Sequence, residues 1–242
     1  MSRLRLGILQ VNHDKSVEIG DKFPDDAHRF RDLFDALDDV RFSYRIYMTI
    51  GGELPKDLDE QDAYLITGSP LSVLDDLEWL PALYDFIRTC HAAKKPLLGA
   101  CFGHQAIAVA LGGKVERAQV GWNVGVENCA FATSKLWMEP YVSDMPLYVF
   151  HQDQVTQLPA EAELLGGSNK CPNASFAVGN HIFTTQAHPE FSDAFIRAVI
   201  GFTQKYFSRD EHAAILASLD QEQMGPVFAQ WAANFFQGDK GA

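Results

Sequence analysis

The stretch GACFGHQ, residues 99–105, places a thiol between two glycines, where an apolar strand-like run meets a helix-like run. A nucleophile on a tight strand-to-helix turn requires small neighbours, because the strained backbone leaves little room for side chains on either flank. Gly99 and Gly103 leave that room around Cys101, and the following helix directs its positive end at the sulfur. The stretch therefore predicts a cysteine nucleophile. The alternative is a buried cysteine that serves as a small hydrophobic residue.

Strand-like and helix-like segments alternate around this turn. The strand candidates are residues 4–10, 41–47, 63–68 and 96–100, and the helix candidates are residues 25–37, 77–95 and 191–207. This alternation predicts an α/β fold with a mostly parallel central sheet and helices on both faces. Residues 114–187 contain turn signals between short strand candidates, so we expect the second half to be rich in strands. Ligand sites in such folds gather at the carboxyl ends of strands, where Cys101 is expected.

Length and composition suit one domain. The chain has 242 residues, 47% of them hydrophobic, and we expect a single domain over residues 1–242. Its core is expected over about residues 1–207. Two further helical stretches predict a C-terminal helical extension over about residues 208–242.

Charge and apolar patterning argue against two classes of partner. The net charge of −12 disfavours a phosphate-neutralising surface, so we expect no nucleic-acid partner. No apolar stretch approaches the roughly 20 residues that span a bilayer, so we expect no membrane partner. The four cysteines lack a C-x-x-C spacing and the first residues lack an apolar signal region, which predicts a cytoplasmic protein with free thiols. We expect no metal and no cofactor.

A thiolate nucleophile requires a histidine that moves protons and a third group that orients the histidine. Among the eight histidines, His188 lies in TTQAHPEF (184–191), just beyond a strand candidate, and Glu190 follows two residues later. In an extended segment residues i and i+2 point to the same side, so Glu190 is expected to contact the His188 ring. This pattern predicts a catalytic triad of Cys101, His188 and Glu190, although His-Pro-Glu alone also fits an ordinary turn.

Backbone N–H groups at a strand end commonly hold an oxyanion. The segment ITGSPLSV, residues 66–73, follows a predicted strand. Gly68 permits an unusual backbone turn, and Pro70 restricts Ser69 to an extended conformation. We therefore expect the N–H groups of Ser69 and Phe102 to form an oxyanion hole.

Four segments occur in an order that resembles one enzyme family. They are TGSPLSV (67–73), GACFGHQ (99–105), FHQDQVTQLP (150–159) and QAHPEF (186–191). They resemble the Gly-Gly-Pro turn, the Gly-x-Cys-x-Gly-x-Gln elbow, the His-x-Asp-x-Val segment and the His-Pro-Glu element of triad-type class I glutamine amidotransferases. The resemblance covers most of the chain and implies a three-layer, flavodoxin-like fold. The chain most resembles stand-alone members similar to the glutaminase domain of GMP synthase.

The resemblance implies that Cys101 removes the side-chain amide of glutamine through a γ-glutamyl thioester, releasing ammonia and then glutamate. It also implies that Gly68 and Gln105, with the backbone at Gly121 and Trp122, hold the substrate's amino-acid end. The expected ligand is glutamine or another γ-glutamyl compound. The chain lacks a Gly-x-x-x-x-Gly-Lys-Ser/Thr phosphate loop, so an ATP-dependent amide transfer would require a separate synthetase or acceptor subunit.

Two positions depart from the family's pattern. Ser69 replaces the second glycine of Gly-Gly-Pro, and Ala187 stands where an aromatic residue commonly precedes the histidine. The first departure affects the expected oxyanion hole, and the second affects the expected shape of the pocket.

Other interpretations fit parts of the pattern. A γ-glutamyl peptide or conjugate hydrolase would form the same thioester and release a different amine. A regulatory binding module on this scaffold would be favoured if a triad member were missing, and none is. A metal hydrolase would use His151, Asp153 and His188, yet no clustered ligand spacing supports it. In α/β-hydrolases the acid precedes the histidine, whereas Glu190 follows His188.

Overall fold

The computed structural model describes residues 3–238, and within them the chain forms eleven β-strands and six α-helices. The strands are β1 (Leu4–Leu9), β2 (Phe42–Tyr47), β3 (Ala63–Ile66), β4 (Leu97–Ala100), β5 (Lys114–Arg117), β6 (Asn123–Phe131), β7 (Asp144–His151), β8 (Asp153–Gln157), β9 (Ala162–Gly167), β10 (Ser175–Val178) and β11 (Ile182–Thr185). The helices are α1 (Asp26–Asp35), α2 (Leu80–Ala92), α3 (Phe102–Ala110), α4 (Asp193–Phe202), α5 (Arg209–Ser218) and α6 (Gly225–Gln237).

One large sheet organises the described part of the chain, with the strand order β2-β1-β3-β4-β11-β10-β9-β6-β7. The strands β2, β1, β3, β4 and β11 pair in parallel, and the sheet continues through antiparallel pairing of β10, β9, β6 and β7. A separate antiparallel pair joins β5 and β8. The loops that follow β3, β4 and β11 therefore leave the same edge of the sheet, because these three strands run parallel and adjacent.

Both faces of the parallel strands are covered by helices, as predicted. Alternate residues of β3 point to opposite faces, and all four are fully buried. Ala63 and Leu65 pack into the larger core with residues of α1 and α6, whereas Tyr64 and Ile66 pack into a second core with residues of α2 and α3. The α/β class with a central parallel sheet is thus confirmed, and burial on both faces explains why β3 is apolar throughout.

The two C-terminal helices differ in how they pack. Helix α6 contributes Phe228, Trp231 and Phe235 to the larger core, each at most 1% exposed. The Trp231 Nε1–H donates to the carbonyl of Pro140 at 2.9 Å. Helix α5 buries no residue completely and lies beside β6, where Ser218 Oγ accepts the Val126 N–H at 3.1 Å.

Replacing Trp231 by Ala should destabilise the whole fold, because it empties a fully buried site in the core shared by α6 and the sheet. We expect a loss of about 3–5 kcal/mol in the free energy of unfolding, measured by urea denaturation. The control Leu136→Ala truncates a side chain that is 81% exposed and should change the free energy by less than about 0.5 kcal/mol. If residues 208–238 unfold cooperatively with the rest of the described chain, the denaturation curve has a single transition. A separate transition for the C-terminal helices would contradict this.

Candidate active site

Cys101 lies on a strained turn between β4 and α3. Its backbone has φ 48° and ψ −101°, and it is one of two residues other than glycine with a positive φ in the described part of the chain. Such conformations cost of the order of 1–3 kcal/mol and persist where the surroundings enforce them. The Cys101 N–H donates to the Thr185 carbonyl at 2.8 Å, which fixes the turn against the end of β11.

The two glycines that flank Cys101 are required by close packing. A Cβ built on Gly99 would lie 2.6 Å from the backbone carbonyl carbon of Gly103, and a Cβ on Gly103 would collide with the carbonyl oxygen of Ile66. Neither glycine has a positive φ. Helix α3 therefore approaches β3 and β4 more closely than any side chain at these two positions would allow.

His188 and Glu190 form a buried pair in the segment that follows β11. The His188 Nδ1 and Glu190 Oε1 lie 2.8 Å apart, and both side chains are at least 95% buried. The His188 N–H donates to the Tyr148 carbonyl at 2.8 Å, which anchors the segment on β7. The ring of Phe191 stacks on the His188 ring, with centroids 4.0 Å apart and planes inclined by 13°. The backbone contact fixes the segment, and Glu190 and Phe191 fix the orientation of the imidazole.

The charge state of His188 depends on its neighbours. Burial by itself lowers the pKa of His188, but the negative charge of Cys101 and then that of Glu190 more than offset it and raise the pKa to about 10. The Cys101 sulfur also acts through a hydrogen bond to the imidazole. His188 is therefore an imidazolium at neutral pH when the sulfur carries a negative charge.

The loop after β3 lies against both His188 and Cys101. A Cβ on Gly68 would be 2.7 Å from His188 Cε1 and 3.6 Å from Cys101 Cβ. Gly68 is not among the glycines with positive φ, so the explanation from an unusual turn was wrong. A glycine is required here because the imidazole occupies the space that a side chain would fill.

The expected oxyanion donors are free. Among residues 3–238, neither the Ser69 N–H nor the Phe102 N–H donates to a protein acceptor. The Ser69 side chain instead accepts the Leu71 N–H at 3.2 Å and so bends the loop. Serine in place of the usual glycine therefore stabilises the turn while its backbone N–H remains available.

Gln105 uses its amide hydrogens inside the protein. Its Nε2 donates to the Asp153 carbonyl at 2.8 Å and to Gln186 Oε1 at 3.1 Å. Its Oε1 accepts no hydrogen bond from the described residues, so only this oxygen is available to a ligand. Gln186 was not expected from the sequence, although it lies two residues before His188 in the QAHPEF segment.

Gly121 and Trp122 have different surroundings. Gly121 has φ 73°, and a Cβ there would meet no atom within 4 Å, but its N–H already donates to the Ala118 carbonyl at 3.0 Å. The Trp122 ring packs against Phe150, Tyr206 and Phe207, with centroids 5.3, 6.0 and 6.3 Å away. The ring is thus held in an aromatic cluster, and only the backbone of Trp122 is free for the role expected from sequence.

His151 and Asp153 are engaged in structural hydrogen bonds. His151 lies between the Asn123 amide nitrogen and the Asp153 carbonyl, and burial lowers the pKa of His151 to about 4. The Asp153 carboxylate accepts the Ser72 hydroxyl at 2.5 Å and Arg117 Nε at 3.0 Å. Within residues 3–238, no three His, Cys, Asp or Glu residues come together in a way that could hold a metal ion.

The other three cysteines, Cys90, Cys129 and Cys171, are also buried. Burial raises the pKa of Cys90 and of Cys129 to about 12, and it also raises the pKa of Cys171. All four cysteines are free thiols.

In the described part of the chain, no helix is both long enough and apolar enough to cross a bilayer.

Comparison with known sequences identifies relatives. The sequence profile of the family described as glutamine amidotransferase class-I matches residues 31–196. Gamma-glutamyl peptidase 3 of Arabidopsis thaliana is 30% identical over 204 residues, which cover 80% of this chain and 82% of that protein. Gamma-glutamyl peptidase 5 of the same organism is 32% identical over 203 residues, which cover 80% and 81%.

Comparison with solved structures gives the same fold. A glutamine amidotransferase from Thermotoga maritima superposes with a TM-score of 0.75 at 18% identity, covering 96% of this chain and 97% of that chain. This likeness concerns the fold alone. The family profile covers well over half of the chain and spans the segments that carry Cys101, His188 and Glu190. The protein therefore belongs to the class-I glutamine amidotransferase family.

Proposed function

We propose that the protein hydrolyses γ-glutamyl amide bonds through a thioester on Cys101. The observation that carries this proposal is the arrangement of Cys101 on its strained turn beside the buried His188–Glu190 pair, which is 2.8 Å apart. The raised pKa of His188, caused largely by the sulfur charge, supports a resting thiolate–imidazolium pair. A regulatory binding module would not need a strained turn that presents a thiol to a buried imidazole.

In the proposed first step, the Cys101 sulfur attacks the γ-carbonyl carbon and a C–S bond forms. The oxygen takes the negative charge, and we assign its stabilisation to the N–H groups of Ser69 and Phe102, which donate to no protein acceptor among the described residues. His188 then gives its proton to the amide nitrogen, the C–N bond breaks, and the amine leaves. Glu190 stabilises the imidazolium that supplies this proton.

In the second step, neutral His188 takes a proton from water as the water oxygen attacks the thioester carbonyl. The C–S bond breaks, glutamate leaves, and the sulfur returns as a thiolate beside the imidazolium. We assign recognition of the glutamyl amino-acid end to Gln105 Oε1, to the Gly121 carbonyl and the Trp122 backbone, and to the backbone at Gly68.

We place γ-glutamyl peptides or conjugates first among the substrates. Two relatives that match about four fifths of both chains are named γ-glutamyl peptidases, and hydrolysis of such compounds needs no ATP and no second subunit. Glutamine is the second candidate, supported by the family itself, and it would require a synthetase partner to use the ammonia. The four free cysteines support a reducing compartment such as the cytoplasm.

Substitutions in the triad should have graded effects. Cys101→Ala or Cys101→Ser should lower kcat/KM by about 10⁴-fold or more, and His188→Ala should approach the same loss. The fall in kcat/KM caused by Glu190→Gln should be about 100 times smaller than that caused by Cys101→Ala, because an amide still accepts a hydrogen bond from the imidazole. The matched control Cys90→Ala removes another buried thiol and should keep full activity. Wild-type turnover in Cys101→Ala would contradict the mechanism, and wild-type turnover in His188→Ala would assign the base to another group.

A substrate panel should distinguish the candidate leaving groups. Purified protein is assayed with glutamine and with γ-glutamyl dipeptides and conjugates, with α-glutamyl peptides as the control. We expect the highest kcat/KM for a γ-glutamyl peptide or conjugate, measured as released glutamate. A preference for glutamine would favour the glutaminase. If no γ-glutamyl compound adds its acyl mass to Cys101 in the intact protein, the catalytic proposal fails and the binding module replaces it.

A further inference from the structure

Gln186 contacts the nucleophile directly. It lies between β11 and His188, its side chain is 1% exposed, and its backbone N–H donates to the Ala174 carbonyl at 2.7 Å. The Gln186 Nε2 lies 3.5 Å from Cys101 Sγ, within the range of a hydrogen bond to sulfur. Gln186 and His188 both act on the sulfur from the short bent segment that follows β11.

The direction of this hydrogen bond follows from its partners. The Asp153 carbonyl accepts only, so the Gln105 atom 2.8 Å from it must be the amide nitrogen. That nitrogen also lies 3.1 Å from the Gln186 side chain, so the Gln186 atom facing it must be the oxygen. The other end of the Gln186 amide, which faces the sulfur, is therefore an NH₂ group and a donor.

Asp153 anchors this chain of hydrogen bonds. Asp153 is 7% exposed, and its carboxylate accepts hydrogen bonds from Ser72 Oγ and Arg117 Nε. Its carbonyl accepts from Gln105 and lies 3.2 Å from the His151 ring. Because Asp153 on β8 is held by Arg117 of β5 and by Ser72 of the loop after β3, its carbonyl is fixed and the Gln186 amide has one favourable orientation.

We propose that Gln186 is a catalytic residue that donates a hydrogen bond to the Cys101 sulfur and holds it as a thiolate aimed at the substrate, and that Gln105 positions it. This inference rests on the proposed function of Cys101. A donor stabilises the thiolate more than the thiol, since the negative sulfur is the stronger acceptor. The thiolate is thus stabilised by two residues, the charged His188 and the uncharged Gln186.

Several ionisable groups surround the Cys101 sulfur, and Gln186 is not one of them. His188, with Glu190 behind it, acts on the Cys101 charge from the segment after β11. Burial lowers the pKa of His151 on β7, and the charge of His188 lowers it further; burial raises the pKa of Cys171, and the charge of Cys101 raises it further. Gln186 carries no charge at any pH, so replacing it by another neutral residue removes the hydrogen bond without adding a titrating group.

The test measures the rate of Cys101 alkylation by iodoacetamide from pH 4 to pH 10, with the labelled peptide identified by mass spectrometry. In Gln186→Met the inflection should move up by about one pH unit, so alkylation below it slows about tenfold. Gln105→Met leaves Gln186 in place but unanchored, and it should give a smaller shift in the same direction. If Gln186→Met fails to fold, Gln105→Met decides the question.

Gln10→Met is the matched control. Gln10 is also 1% exposed, its Nε2 donates to the Met48 sulfur at 3.7 Å, and its Oε1 accepts the Ala27 N–H. Its replacement should leave the inflection unchanged. A folded Gln186→Met protein with the wild-type inflection, or an equal shift in Gln10→Met, would overturn the proposal. Alkylation requires no turnover, so a shift in a protein that hydrolyses no γ-glutamyl compound would support the role of Gln186 while refuting the proposed function.

Discussion

The close contact of helix α3 with strands β3 and β4 is the constraint on which the site depends. Gly99 and Gly103 have no space for a Cβ, and this contact enforces the positive φ of Cys101 between them. The turn then places the sulfur at the carboxyl edge of the sheet, beside the ends of β3 and β11. The Phe102 N–H remains unengaged within the described residues because it begins the helix.

The site also buries two groups that can carry charge, His188 and Glu190. Glu190 Oε2 has no hydrogen-bond partner within residues 3–238, so the buried carboxylate depends on its contact with His188 to offset the cost of burying its charge. Behind the stacked Phe191 ring, the Arg29 guanidinium lies 5.5 Å from that ring's centroid. The pKa of His188 is raised above its ordinary value of 6.5 to about 10. Its contribution to stability is therefore complete below pH 6.5 and is lost as the pH rises through about 10.

Local sequence predicted the parts of the site that depend on neighbours along the chain. The elbow requires glycines two residues on either side of Cys101. His188 and Glu190 make the expected contact, but they do so across a turn, in which the Phe191 N–H donates to the His188 carbonyl at 3.4 Å, and not along the extended segment that the i, i+2 argument assumed. The alternation of strands and helices likewise predicted the parallel half of the sheet. The roles of these residues in chemistry remain predictions that the substitutions test.

Sequence could not predict contacts made between distant segments. The orientation of Gln186 depends on Asp153 and Gln105, which lie 33 and 81 residues earlier in the chain, and no local pattern reports such a chain of donors and acceptors. The need for glycine at position 68 comes from His188, which is supplied by another strand end. The Trp122 ring packs on Tyr206 and Phe207, more than 80 residues later in the chain, and its own motif does not encode this contact.

The central claim is that Cys101 and His188 form a thiolate–imidazolium pair, and an NMR titration of His188 tests it most directly. In the wild-type protein the imidazolium signal should persist well above pH 7 and titrate near pH 10. In Cys101→Ala the largest charge that raises the pKa of His188 is gone, so the titration should move to clearly lower pH. The control Cys90→Ala should titrate as the wild type does. A His188 that titrates near its ordinary pKa of 6.5 in the wild type, with no change in Cys101→Ala, would contradict the account.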